Sequence, residues 1–214
     1  MTRVPGRTAV QNVRTVPVST ALPPELPAPA ELLAARAAEL LGWRGAVLPP
    51  MSLLGRRVVP VVELLTDRHA ERLSWDCGPV TDRTAVSTWV WPELADRVPS
   101  PAVRLVGVIA PARHWRTALA CAGPFAKLCP AAVVLPATVT GSEDYQNNCL
   151  LRTRLYGVAV LTAACDGAVE LELPGSATDE ASGAAELASS AAVRWMHEVL
   201  YERLLAETPA PAGC

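Results

Sequence analysis

Between Val103 and Pro174, apolar runs alternate with helix-patterned polar segments, and each boundary carries a stop signal. VRLVGVIA, AAVVLPAT, GVAVLTA and AVELELP read as strands, and RHWRTALACAG and SEDYQNNCLLRTRLYG as the helices between the first three. That order demands crossover connections and hence a parallel α/β section, which a hairpin at Asp166-Gly167 then closes. The expected fold is α/β: a mainly parallel sheet with crossover helices in the second half, preceded by a β-rich extension and ending in a long C-terminal helix. Open α/β sheets bind ligands outside the carboxyl ends of their strands, so the same alternation says where to look for a site.

The rest of the chain divides around that section. Residues 1–28 mix Arg, Thr, Val and Pro and read as a Pro-rich arm or linker. Residues 29–208 form the expected single α/β domain. Within it, 29–98 supplies a helix and a β-rich layer, 103–174 the strand–helix alternation, and 179–207 the C-terminal helix. Residues 209–214 are a tail. PAELLAARAAELLGW has strong helix formers bounded by Pro29 and Gly42, with Leu32, Leu33, Leu40 and Leu41 as its apolar side. RRVVPVVELL is a strand that Pro60 assigns to an edge or a bulge. RLSWD and AVSTWVW read as two more strands around the turn-prone CGPVTD, with a short helix at WPELADRV.

Half of the 214 residues are apolar, which is ample for a core. A net charge of −2 gives no electrostatic case for binding nucleic acid. Lys127 is the only lysine, and with the many Arg, Ala, Pro and Val residues this is the usage of a GC-rich genome. The six cysteines form no C-x-x-C pair and no zinc-like spacing, so no metal site and no cofactor is expected. No secretory-type apolar core or membrane span is legible, and the expected setting is the cytoplasm, with free thiols and no membrane contact.

Two loops are the candidate site. Thr138, Thr140, Ser142, Glu143 and Asp144 follow one buried strand and open a helix, where free N–H groups and hydroxyls suit an anionic ligand. Capping of that helix by Thr140, Ser142 and Glu143 is the simpler role. Arg113 and His114 follow the preceding strand. The arginine suits a carboxylate or phosphate, and the histidine suits acid–base work near neutral pH. His114 and Glu143 are the catalytic candidates; Arg113, Thr138, Thr140, Ser142 and Asp144 are the ligand-binding ones. No G-x-x-x-x-G-K-[ST] or G-x-G-x-x-G occurs. Cys149 lies too far along its helix for an activated nucleophile.

Glu63, Asp76, Glu143 and Asp144 stand near strand ends, as a metal-dependent nuclease would need, but Lys127 has no carboxylate two residues before it. Glu170 and Glu172 read as a solvent-facing edge. Trp89 and Trp91, on one face of an expected strand beside Trp75, suit either a stacking platform or a core. On the last helix, Ala192, Met196, Val199 and Leu200 form an apolar stripe, with Glu198, Glu202 and Arg203 outward and His197 at the boundary. Trp195, Met196 and Tyr201 there are the candidate interface.

Three functions follow in order. The first is an accessory or interaction protein, one subunit of a larger assembly, docking or self-associating through the C-terminal helix or the N-terminal arm. The second is a small-molecule-binding α/β enzyme at the strand ends. The third is a nuclease-like domain, intact or degenerate. Whether the chain is an enzyme is left open.

Overall fold

A computed structural model describes residues 25–94, 97–176 and 190–207. Most of the N-terminal arm, the tail, Cys214 and the start of the expected C-terminal helix lie outside the described residues. The elements in chain order are α1 (Ala30–Leu40), β1 (Ala46–Val47), β2 (Met51–Leu53), β3 (Arg56–Leu64), α2 (Thr66–Ser74), α3 (Arg83–Thr88), β4 (Val103–Pro111) and α4 (Trp115–Ala122). They continue with β5 (Ala131–Pro136), α5 (Leu150–Tyr156), β6 (Ala159–Ala163), β7 (Val169–Leu173) and α6 (Ala191–Glu207). The strands form one seven-stranded mixed sheet in the order β1-β3-β4-β5-β6-β7, with β2 also pairing β3. β4, β5 and β6 run parallel, and the other pairs are antiparallel. The chain is α/β, with its parallel section where the alternation put it.

Every residue of β5 and β6 is buried, which is why both read as unbroken apolar runs. Alternation along them divides the core in two. Val133, Leu135 and Val160 meet α4, the start of α5 and α6 on one face. Ala132, Val134, Leu161 and Ala163 meet α1 on the other. α4 and α5 therefore lie on the same side of the sheet. With β4, β5 and β6 in sequential order, no strand-order reversal opens a crevice between their loops.

α1 buries Leu33, Ala34, Ala37 and Ala38, while Leu32 and Leu40 are exposed. Its inner face is set by alanines, which let the helix lie close to the sheet, rather than by the four leucines. Close approach recurs at Gly107 of β4, where a Cβ would fall 2.4 Å from the ring of Trp43. Pro60 is not on an edge. It lies between the segments of β3 that pair with β2 and with β1, one residue before the irregularity at Val61/Val62. Its carbonyl accepts from Leu48 N at 3.0 Å, so its missing N–H falls on the side where the partner chain changes from β2 to β1.

Residues 66–88 depart from expectation most. RLSWD and AVSTWVW are not strands but fall largely in α2 and α3. Asp82 caps α3 by accepting from Thr84 N at 2.9 Å. α2 ends with Asp76 in the left-handed region at φ 51°, where Asp76 N bonds Leu73 O and Cys77 N bonds Arg72 O. That is the stop a glycine usually provides, made here by an aspartate.

Candidate functional site

The loops after β4 and β5 do meet, through residues beside the expected ones. Asp144 accepts from Trp115 Nε1 at 2.7 Å, from Arg116 Nη2 at 2.8 Å and from Asn148 Nδ2 at 2.9 Å. The Trp115 bond, then the Asn148 bond and the Arg116 charge, hold the Asp144 carboxyl below the usual range. Trp115 is buried under the Arg116 guanidinium, which stands 4.6 Å from its ring centroid. The carboxylate is thus spent on tying the two loops together.

The other candidates are mostly structural or solvated. Ser142 Oγ accepts from Tyr145 N at 3.2 Å and donates to Val139 O, and Thr140 Oγ1 donates to Ala137 O at 2.9 Å. Thr138 and Glu143 are exposed. Arg113 is exposed and reaches Glu25 at 3.4 Å, not Glu143. His114 is exposed at the start of α4, where its carbonyl accepts from Ala118 N. A π-helical turn at Tyr145–Cys149 precedes α5 and buries Tyr145 and Cys149 while leaving Gln146, Asn147 and Asn148 outside. Burial raises the Tyr145 phenol and pushes the Cys149 thiol up to about 11, a shift that opposes an activated thiolate there.

The strongest electrostatic feature lies elsewhere, between α2 and α6. Glu198 is fully buried, although a turn-by-turn reading of α6 sets it outward. Both of its oxygens accept from Arg72, at 2.8 and 2.7 Å, and Val80 N adds a bond of 3.0 Å. Arg194 pairs with the same carboxylate at 3.1 Å, lies over the Trp89 ring and donates to Pro99 O. Arg72 further donates to Cys77 O and Gly78 O and stacks over Tyr201 at 4.9 Å. Desolvation opposes the Arg72 charge, but the hydrogen bond and charge of Glu198 outweigh it and raise its pKa. Desolvation wins at Arg194, whose pKa is lowered. The Tyr201 hydroxyl shares a 2.7 Å hydrogen bond with His69 Nδ1, and Trp195 Nε1 donates to Thr81 O at 2.8 Å.

No family model, curated protein or solved structure matches this chain.

The expected interface residues of α6 are engaged within the fold. Met196 and Tyr201 are buried within the fold, and Trp195 is half-buried on its bond to the loop before α3. The stacking platform is absent too, because its strand is a helix. Trp89 packs under Arg194, and Trp75 and Trp91 are exposed at separate helix ends. The nuclease carboxylates do not converge. Glu63 pairs with Arg104 at 2.8 Å beside the start of β4, whereas Asp144 follows the end of the parallel β5. Among the described residues no three His, Cys, Asp or Glu side chains could hold a metal ion. Glu170 and Glu172 are exposed on the edge strand β7, and Glu172 accepts from Thr162 at 3.2 Å. No helix among the described residues is long and apolar enough to cross a membrane.

What sequence reasoning passed over is the outward face of α5. This helix buries Thr153, whose hydroxyl returns to Cys149 O at 2.8 Å, and turns Leu151, Leu155 and Tyr156 outward at 67%, 80% and 56% exposure. The i, i+4 spacing of Leu151 and Leu155 puts them side by side. Arg152 and Arg154 are exposed beside them, and the helix carries no carboxylate.

Proposed function

We propose that this chain is an accessory protein that acts by docking another protein on the outward face of α5. One observation carries the reading: a short helix keeps a threonine inside and presents two leucines and a tyrosine to solvent. A single exposed leucine means little, but an apolar row on one helix is the kind of surface interfaces use. Tyrosine and arginine are the side chains enriched in such surfaces. Arg152 and Arg154 call for a partner whose apolar patch has an acidic rim. This moves the docking surface from the C-terminal helix, whose aromatic side chains are engaged internally, to the crossover helix before β6.

A photo-crosslinking residue at position 155 of the full chain, expressed in its native cells, tests this. A matched probe at Glu202, exposed on α6, serves as control. The expected outcome is a discrete adduct at 155 that is absent at 202 and lost with Leu151→Glu. An adduct of twice the chain's mass identifies a second copy as the partner. No adduct at 155, or the same adducts at both positions, overturns the proposal.

A further inference from the structure

The carboxyl end of β4 has two flanks, and they differ. On the β5 flank, Trp115, Asp144 and Arg116 close the gap. On the β3 flank, a cavity of about 150 Å³ opens between the start of β3, the end of β4, α4 and the first residue of α1. The register explains its place. Val59 of β3 pairs with Ile109 of β4, so Arg57 comes to lie beside the last residues of β4.

Three side chains give the cavity chemistry: Arg57, Thr117 and Cys121. Every other lining residue is Ala, Val or Pro, and no carboxylate is among them. The Arg57 side chain makes no ion pair, hydrogen bond or ring contact among the described residues, unlike those of Arg72, Arg104, Arg116 and Arg194. An apolar chamber with one unpaired guanidinium and no anion complements an acid with an apolar body. An apolar cavity of roughly 150 Å³ is large enough for benzene, which sets the ligand's size.

We propose that this cavity binds a small organic carboxylate, a short aliphatic or single-ring acid, with its apolar body inside and its carboxylate on Arg57. The inference is independent of α5 and does not rest on the docking role. It keeps the site at the strand ends but moves it across β4, away from Arg113 and the Thr138–Asp144 loop.

The test uses the full chain, with benzoate as probe and benzyl alcohol as its neutral counterpart. Alkylation of Cys121 by iodoacetamide is followed by mass spectrometry, with exposed Cys165 as internal reference. Benzoate should slow Cys121 alkylation severalfold and leave Cys165 unchanged. Calorimetry should show benzoate bound more tightly than benzyl alcohol, with Arg57→Gln costing benzoate about tenfold in affinity, as loss of a charge-assisted hydrogen bond does. The same variant should leave benzyl alcohol unaffected. Arg57 is exposed, so the variant is expected to fold. Benzoate without effect on Cys121, equal binding of acid and alcohol, or benzoate affinity unchanged in Arg57→Gln would each overturn the proposal.

Discussion

α5 and α6 lie on the same side of the sheet and invert the usual rule in opposite directions. α6 takes a glutamate and an arginine inside, and α5 leaves two of its three leucines, Leu151 and Leu155, outside. The difference lies in what each helix faces. α6 meets Arg72, whose guanidinium supplies the bidentate partner that makes a buried carboxylate tolerable. α5 meets the sheet with Thr153, whose hydroxyl is satisfied by its own backbone, so nothing inward calls for Leu151 or Leu155. Polarity alone therefore does not tell inside from outside in this chain. The partner across the gap does.

The largest test of this contrast is Glu198→Gln. It leaves two guanidiniums in the core with no anion between them, and should cost about 3–5 kcal/mol in urea unfolding, the usual effect of breaking a buried pair. A loss within the range of ordinary surface changes would place Glu198 outside the core after all.

A second effect comes from acid. Burial, then the charge of Arg194, push the His197 imidazole down to about 4, against the opposing charge of Glu198. The unfolded chain binds this proton near pH 6.5, a typical value for histidine, whereas the folded chain resists it until about pH 4. Stability attributable to His197 is complete above the unfolded value and falls as pH drops through that window. Urea midpoints measured from neutral pH downward should show the decline, and His197→Gln should flatten it. An identical decline in the variant would move the effect to other groups.

Smaller still is Tyr201→Phe, which removes the hydroxyl shared with His69 but keeps the ring under Arg72. A loss of about 1 kcal/mol is expected, the net worth of one hydrogen bond. A loss near that of Glu198→Gln would make the hydroxyl part of the charge cluster rather than an addition to it.

Legibility in the sequence follows the same physics. β4, β5 and β6 could be read because burial on both faces leaves long apolar runs. α2 does not read as a helix because its inward link to the rest of the fold is polar, and α3 because it is a six-residue helix that buries only Val86. Arg72 occupies the core-facing position of α2, so apolar periodicity points nowhere, and Leu73 and Trp75 mimic a strand's alternation. Asp82 before Arg83-Thr84 was the signal available for α3, as an N-cap. At the strand ends, the loops were located correctly, and Asp144 proved to be their meeting point. Its partners Trp115 and Arg116 directly follow Arg113 and His114, the residues that chemistry alone singles out. Arg57 carried no signal, since its place beside β4 depends on strand register. Glu198 carried none either, because a glutamate on a helix reads as solvated until its arginine is found.

The central claim is that Leu155 serves the surface while Glu198 serves the core, and the urea midpoint of Leu155→Glu measured beside the unmodified chain tests it most directly. The expected shift in unfolding free energy is within about 0.5 kcal/mol, typical of surface substitutions. A fall of several kcal/mol would show that Leu155 belongs to the core and would remove the docking surface.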